Sequence, residues 1–201
     1  MDDEPLTSFP SLLNQSNAKP TFSFPHGMVL WLTGLSSAGK TTIAQEVYRR
    51  LVKANLRVEW LDGDHLRASI CKDLGFTKED RCENIRRIGF IAGLLAKHGV
   101  IVIVSAISPY RASRDELREL IPNFIEVYIN APLEICESRD IKGLYRRARN
   151  GEITHLTGID DVYEEPIHPE VECQTNLETV AESVAKVLAY LQRRFGELDF
   201  R

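Results

Sequence analysis

The sequence of 201 residues lacks any apolar run long enough to cross a bilayer, and its Met-Asp-Asp-Glu start has neither the basic nor the apolar part of a secretion signal. Its four cysteines lie far apart, without the spacing of metal ligands, which favours reduced thiols over a disulfide framework. The net charge of -4 gives no indication of a nucleic acid or an anionic membrane as a partner. These absences predict a soluble cytoplasmic protein.

The chain divides into a short N-terminal arm and one larger domain. Residues 1–26 contain four of the nine prolines and are predicted to form the arm. Residues 27–201 alternate between strand-like and helix-like segments, which is typical of an α/β domain with a doubly wound, mostly parallel sheet and helices on both faces. The predicted strands are Met28–Thr33, Arg57–Leu61, Val100–Ser105, Phe124–Asn130 and Val171–Cys173. The predicted helices include Lys40–Ala54, a long helix from a capping box at Thr77–Asp80 to about His98, Ala112–Leu120, one after Pro132, and a closing helix that follows a second capping box at Thr175–Glu178.

The most informative stretch is Gly34-Leu35-Ser36-Ser37-Ala38-Gly39-Lys40-Thr41, which has the form G-x-x-x-x-G-K-[ST] of a phosphate-binding P-loop. It lies between a predicted strand and a predicted helix, where backbone N–H groups and the helix dipole face an anion. Lys40 can reach the outer phosphates, and the Thr41 hydroxyl can bind Mg²⁺. We predict that this stretch, with the following Thr42, binds a nucleoside triphosphate; the alternative is a chance match in a glycine-bearing turn.

Two carboxylates follow the second predicted strand, in Asp62-Gly63-Asp64. They are expected at the same edge of the sheet as the P-loop, where a carboxylate can orient a Mg²⁺-bound water or accept a proton from a substrate hydroxyl. The alternative is an Asp-Gly turn in which Asp64 caps the next helix. Arg67, one helical turn further, either meets an anionic substrate or lies at the surface.

Two polar residues, Arg81 and Asn84, share one stripe of the long predicted helix with its apolar residues. Because the apolar stripe should face the sheet, both polar side chains point inward and need partners. A bound anion would provide a partner for Arg81. The alternative is an internal salt bridge, to Asp62 or Asp64.

Two further stretches are predicted at the rim of the site. Ser108 precedes a proline that ends the third predicted strand, so it can present its hydroxyl or backbone to a substrate. Residues 141–169 have mixed charge, three glycines and two prolines, and they lie where many small P-loop kinases carry a lid. The lid could close positive charge over a transferring phosphoryl group through Lys142, Arg146, Arg147 and Arg149, or at least two of these could form a solvated charge run.

These motifs together resemble those of the adenylylsulfate kinase family. Its members phosphorylate the 3′-hydroxyl of adenosine 5′-phosphosulfate (APS) with MgATP, in sulfate assimilation. The resemblance covers about residues 27–173 and is carried by Trp31–Ser36, Leu61–Asp64, Lys72–Phe76, Asp80–Arg87, Ile107–Arg111, Lys142–Tyr145 and Thr157–Asp160. It implies a P-loop kinase fold, ATP and Mg²⁺ as cofactors, and a homodimer. Since the chain is too short to include a sulfurylase, a separate ATP sulfurylase is a further expected partner.

The resemblance also implies roles for individual residues. Residues 34–42 hold ATP, and the metal site is formed by Thr41, Asp62 and Asp64. The catalytic set is Lys40, Asp64, Ser108 and Lys142. The substrate-binding set is Asp62, Asp64, Arg67, Phe76, Arg81, Asn84, Ile107, Ser108, Lys142, Leu156 and Thr157, in which Phe76 stacks on the adenine and Arg67, Arg81 and Asn84 hold the phosphosulfate. The family's serine at the position of Ser108 is described as a phosphorylated intermediate, but phosphoryl transfer needs in-line positioning and charge neutralisation rather than a covalent relay.

Three positions depart from the family's pattern. Leu156 stands where a phenylalanine is common, Ala106 where a larger apolar residue is usual, and His65 where asparagine is common. A leucine loses the stacking contact with the adenine, worth roughly 0.5–1.5 kcal/mol, so we expect weaker APS binding. Two other functions stay open: a P-loop kinase of another small acceptor, and a nucleotide-binding regulator that phosphorylates nothing.

Overall fold

The computed structural model describes residues 27–196, so the predictions for residues 1–26 and 197–201 lie outside the described residues. The described chain forms one sheet of five parallel strands in the order β2-β3-β1-β4-β5. The strands are β1 (Met28–Thr33), β2 (Val58–Asp62), β3 (Ile101–Ser105), β4 (Phe124–Asn130) and β5 (Val171–Gln174). The helices are α1 (Lys40–Lys53), α2 (Gly63–Ala68), α3 (Lys78–Lys97), α4 (Arg111–Leu120), α5 (Leu133–Arg139), α6 (Leu144–Arg149) and α7 (Val180–Phe195). The doubly wound parallel sheet predicted from the sequence is therefore confirmed.

The central strands β1 and β3 are buried along their whole length, as expected for a parallel sheet that helices cover on both faces. One face packs against α1 and α7 in a core that includes Leu32 and Ile103. The other packs against α3 and α4 in a core that includes Trp31 and Val104. With both faces apolar, the sheet is a rigid support for the loops at its carboxyl edge.

Strand register decides which residues meet at that edge. Ser105, the last residue of β3, pairs with Leu32 of β1 on one side and with Asp62 of β2 on the other. The P-loop begins directly after β1, so it lies beside the carboxyl ends of β2 and β3. Ligands of open α/β sheets bind at this edge.

One of the two predicted capping boxes is confirmed and the other is wrong. At the start of α3, the Thr77 hydroxyl accepts the Asp80 N–H at 3.2 Å and the Asp80 carboxylate accepts the Thr77 N–H at 3.3 Å. The closing helix α7 is instead capped by Thr179 and Glu182, four residues later than predicted. The Thr175 hydroxyl is engaged elsewhere, since it donates to the Ala38 carbonyl of the P-loop at 2.7 Å.

The segment predicted to be a lid, residues 141–169, contains one short helix, α6, and is otherwise irregular. A single bridge between Thr157 and Asp161 closes a turn within it. Between residues 27 and 196, no helix has the length and apolar character that crossing a membrane requires.

Candidate active site

A cavity of about 1210 Å³ opens at the carboxyl edge of the sheet. Its walls come from the P-loop, the end of β2, α2, the first turns of α3, the turn after β3, and the segment 141–169. All the residues predicted for the site line this cavity except three of the P-loop, Gly34, Leu35 and Ala38. The fold thus brings the predicted nucleotide, metal and acceptor residues to one place.

The P-loop is held by its own lysine and by a close backbone approach. Lys40 Nζ donates to the Gly34 carbonyl at 2.9 Å and to the Leu35 carbonyl at 2.7 Å. Only glycine fits at position 34, because a Cβ there would lie 2.3 Å from the Ile129 carbonyl oxygen. Burial, assisted by the charge of Lys142, lowers the pKa of Lys40 to about 8. The ammonium therefore remains charged at neutral pH and faces a site that favours an anion.

The carboxylate of Asp62 is fixed through both of its oxygens. Oδ1 accepts the N–H of Asp64 at 3.0 Å and of His65 at 3.4 Å, so Asp62 caps α2. The alternative that made Asp64 the capping residue is wrong, because the capping residue of α2 is Asp62, two residues earlier. Oδ2 accepts the Ser105 hydroxyl at 2.8 Å and lies 3.4 Å from Thr41 Oγ1.

The oxygens of Thr41 and Asp62 fit a magnesium ion. Mg²⁺ takes only one or two protein ligands in such sites and completes its shell with water and substrate phosphates. Within residues 27–196, no group of three or more His, Cys, Asp or Glu residues could hold a metal ion without such help. The donor set therefore fits a metal that is bound together with a nucleotide.

Asp64 has a different environment from Asp62. Its carboxylate is 72% exposed and forms an ion pair with Lys142, which reaches it from the segment 141–169. Of the four basic residues predicted to close over the site, Lys142 and Arg147 line the cavity. Arg146 does not line it, and Arg149 pairs with Glu137 at 2.5 Å. The solvated alternative thus describes Arg146 and Arg149, which are both exposed, whereas Lys142 joins the segment 141–169 to Asp64.

An aromatic ring and two arginines form the far wall of the cavity. The guanidinium carbons of Arg67 and Arg81 lie 4.7 Å and 5.7 Å from the centre of the Phe76 ring. Burial and then the charge of Arg81 lower the pKa of Arg67. The Phe76 side chain is itself exposed to the cavity. This wall combines positive charge with a stacking surface, as an anionic nucleotide needs.

Arg81 forms an internal salt bridge, which was the alternative to a bound anion in the sequence analysis. Its Nε lies 3.0 Å from the Asp161 carboxylate, and it also donates to the backbone carbonyls of Phe76 and His155. The ion pair is real, but its acidic partner is Asp161 rather than Asp62 or Asp64. Arg81 therefore ties α3 to the segment 141–169.

Two polar atoms in the cavity wall are buried without a hydrogen-bond partner among residues 27–196: Asn84 Oδ1 and Thr157 Oγ1. Asn84 is 7% exposed and Thr157 is fully buried. Leaving a buried polar atom unpaired costs about 1–3 kcal/mol, so such atoms call for an explanation. A polar ligand that fills the cavity provides one.

The hydroxyl of Ser108 is engaged within the fold, so of the two groups that Ser108 could present to a substrate, the backbone remains. The hydroxyl accepts the indole N–H of Trp31 at 2.9 Å and donates to Thr33 Oγ1 at 3.0 Å, and the residue is 1% exposed. An indole N–H can only donate, so it holds the serine oxygen against the sheet. Ser108 and Ile107 can contribute backbone and surface to the cavity wall, but this hydroxyl is not placed for attack.

The three positions that depart from the family pattern all lie at the cavity. Leu156 and Ala106 are buried, in the cores on opposite faces of the sheet. His65 is exposed on α2. Sequence reasoning missed Asp161, Trp60 and Ser105, although a lone serine at the end of the strand Ile-Val-Ile-Val-Ser was a signal for the last.

The comparisons with known proteins agree on one family. A family model described as adenylylsulphate kinase matches residues 26–174. An adenylyl-sulfate kinase of Microcystis aeruginosa is 62% identical over 161 residues, which cover 80% of this chain and 89% of that protein. The structure of a Mycobacterium tuberculosis APS kinase in complex with AMPPNP and APS is similar with a TM-score of 0.80 and 42% identity, over 84% of this chain and 99% of that one. A hexameric APS kinase from Thiobacillus denitrificans is 30% identical with a TM-score of 0.64, over 84% of this chain and 29% of that one.

Proposed function

The chain belongs to the adenylylsulphate kinase family, and from this membership we propose how its residues transfer the γ-phosphoryl group of ATP to the 3′-hydroxyl of APS. The products are 3′-phosphoadenylyl sulfate and ADP. The observation that carries the proposal is the convergence of Lys40, Asp62, Asp64 and Lys142, whose charges act on one another in a single cavity. Phosphoryl transfer depends on such positioned charge and on in-line geometry.

The P-loop binds the phosphates of ATP. Its backbone N–H groups and the N-terminus of α1 face the anion, and no acidic residue occupies the first turn of that helix to oppose it. Lys40 leaves the loop carbonyls for the outer phosphates and neutralises charge that develops in transfer. Thr41 and Asp62 would hold a magnesium ion, which would supply positive charge to the phosphates when it is bound.

Asp64 orients the acceptor hydroxyl. Its exposed carboxylate faces the cavity, in reach of a substrate and of Lys142. The carboxylate accepts the hydrogen bond of the 3′-hydroxyl and takes its proton as transfer proceeds. Ser108 has no covalent part in this scheme, because its hydroxyl is committed to Trp31 and Thr33.

The acceptor lies against the wall formed by α2, α3 and the segment 141–169. Phe76 stacks on the adenine, and Arg67 with Arg81 provides positive charge for the phosphosulfate. Asn84 Oδ1 and Thr157 Oγ1 gain partners from polar groups of the bound nucleotide. Ile107 and Leu156 supply apolar contact on either side.

Residues 141–169 act as a lid. Lys142 reaches Asp64, and Asp161 reaches Arg81, so both contacts join this segment to the acceptor wall. Closure of the segment over bound nucleotides excludes water, which would otherwise accept the phosphoryl group.

We also propose that the protein is a homodimer in the cytoplasm and that a separate ATP sulfurylase is its partner. Phe90 and Leu94 are 69% and 50% exposed, and their spacing of four residues places them on one outer face of α3. A second copy would cover this face. The mass of the full chain in solution, compared with that of a Phe90→Glu/Leu94→Glu variant, tests the dimer.

ADP release from MgATP, measured with and without APS, tests the reaction. Release that depends on APS, and that adenosine 5′-monophosphate does not support, is the expected result. Release that ignores APS would contradict the proposal and leave a nucleotide-binding regulator or another acceptor as the function. Lys40→Met is a matched control for contaminating kinases, because it removes the phosphate-binding ammonium.

A further inference from the structure

A chain of hydrogen bonds runs from the open wall of the cavity to the carboxylate of Asp62. Trp60 Nε1 donates to Ser105 Oγ at 3.0 Å, and Ser105 Oγ donates to Asp62 Oδ2 at 2.8 Å. The sheet register explains the meeting, since Asp62 pairs with Ser105 across β2 and β3. Trp60 stands two residues before Asp62 in the same strand and therefore projects to the same face.

The donors and acceptors leave one arrangement for the serine hydroxyl. An indole N–H only donates, so it occupies a lone pair of Ser105 Oγ and cannot accept the serine proton. That proton is directed to Asp62 Oδ2. Ser105 is 4% exposed, so water has little access to replace either partner.

The serine bond completes the fixation of Asp62. Oδ1 is held by the N–H groups of Asp64 and His65 at the start of α2, and Oδ2 is held by Ser105. The carboxylate plane is thus set from two sides. Oδ2 also accepts the Thr41 hydroxyl at 3.4 Å, so the two oxygens that fit the metal lie together.

We propose that Trp60 and Ser105 are positioning residues that set Asp62 Oδ2 for Mg²⁺, so that magnesium binds with the nucleotide without reordering of the carboxylate. The proposal rests on the proposed function, because it needs a magnesium–nucleotide complex at the P-loop. Groups that hydrogen-bond to metal ligands orient them and commonly change metal affinity when removed. Neither Trp60 nor Ser105 touches the metal or the substrate in this scheme.

A purely structural role for Trp60 is the competing explanation. Its ring packs against Tyr48 with centroids 6.4 Å apart and borders the core on the α1 face. Loss of packing alone would lower the stability of the protein without changing the contribution of magnesium to ADP affinity. The two roles are separable because Ser105→Ala removes one oxygen atom and leaves the Trp60 ring in place, while Trp60→Phe keeps an aromatic ring and removes the N–H donor together with part of the indole.

The test measures ADP affinity by calorimetry with excess Mg²⁺ and with EDTA, on the full chain and its variants. The ratio of the two affinities reports the contribution of magnesium and needs no acceptor or turnover. We expect Ser105→Ala to reduce this ratio by about tenfold, the lower end for a partner of a metal ligand, with ADP affinity in EDTA unchanged. Trp60→Phe should reduce it by about threefold, because the serine keeps its bond but is free to turn.

A double variant separates positioning from packing. If Trp60 acts through Ser105, Trp60→Phe has no further effect on the ratio in the Ser105→Ala background. Ser138→Ala is the matched control, since among residues 27–196 its hydroxyl bonds only to the nearby Ile135 carbonyl, at 2.8 Å, and the residue is exposed. It should leave the ratio unchanged.

Two results would overturn the inference: an unchanged ratio in Ser105→Ala, or equal effects of Trp60→Phe in the presence and absence of the serine hydroxyl. Ser105→Ala decides the case if Trp60→Phe does not fold. A parent protein whose ADP affinity ignores Mg²⁺ would overturn the inference together with the magnesium site. A parent protein that shows the magnesium ratio but does not phosphorylate APS would refute only the proposed function.

Discussion

Replacing Arg114 by methionine should destabilise the protein by about 3–5 kcal/mol, the usual cost of removing one partner of a buried ion pair. Its guanidinium is 1% exposed and donates to Glu126 Oε1 at 2.6 Å, to the Ser108 carbonyl at 2.6 Å and to the Glu164 carbonyl at 2.7 Å. The methionine fills a similar volume but leaves the buried Glu126 carboxylate with Arg118 as its remaining cationic partner and removes the donor from both carbonyls.

Urea unfolding followed by circular dichroism measures the loss in the free energy of unfolding. In thermal unfolding of a domain of this size, a loss of 1 kcal/mol lowers the melting temperature by about 2–4 °C, so the melting temperature should fall by roughly 6–20 °C. Arg86→Met is the matched control, because Arg86 pairs with Glu83 at 2.6 Å but is 60% exposed, and solvent-exposed pairs contribute little. It should leave the unfolding midpoint unchanged. A destabilisation of Arg114→Met no larger than that of Arg86→Met would refute the reasoning.

The same variant should also affect the acceptor. Arg114 holds the carbonyl of Ser108, which stands at φ +42° in the turn beside Ile107, and it holds Glu164 in the proposed lid. We expect KM for APS to rise more than KM for ATP, since the hydrogen bonds of Arg114 reach Glu126, Ser108 and Glu164 rather than the P-loop. Equal changes in both KM values would show that the loss is general rather than directed to the acceptor wall.

Three further predictions concern the cavity. Asp64→Asn should lower kcat by about 10²–10⁴-fold, the contribution of a general base, with ADP affinity retained in calorimetry; near-normal turnover would remove Asp64 from the mechanism. The pKa of Lys40 is lowered to about 8, so the Lys40 side chain loses its charge as the pH rises through this value. ADP should therefore bind more weakly above this pH, by at most about tenfold per pH unit. The ADP affinity of Lys40→Met should not depend on pH in this way. An ADP affinity of the unmodified protein that is constant from about pH 7 to 9.5 would contradict the prediction. Thr157→Val should raise KM for APS while the unfolding free energy stays the same or increases by about 1 kcal/mol, since it removes a buried hydroxyl without a partner; a loss of stability would show that the hydroxyl is satisfied in the free protein.

The strands could be predicted from sequence because buried parallel strands are apolar throughout. Each predicted strand differs from the observed one by at most one residue at an end. The capping box of α7 failed for a reason that lies outside local sequence. Thr175 and Glu178 have the right spacing, but tertiary contact draws the Thr175 hydroxyl to the P-loop, and Thr179 caps the helix instead.

The positions of the site residues followed from motifs, whereas the directions of their side chains did not. The P-loop, Asp62 and Lys142 lie where strand–loop–helix order places them. The contact of Ser105 with Asp62 depends on the register between two strands. The contacts of Ser108 with Trp31 and of Arg81 with Asp161 join residues more than 70 positions apart in the sequence. These side-chain contacts could therefore not be predicted from a single sequence.

The most direct test of the account is the identification of the product formed from APS and MgATP by the full chain. Mass spectrometry after chromatography should show phosphate on the 3′-hydroxyl of APS, in equal amount to the ADP released, and Asp64→Asn should form almost none. ADP formed without a 3′-phosphorylated product, or product formed equally by Asp64→Asn, would contradict the central claim that this cavity phosphorylates the 3′-hydroxyl of APS through Asp64.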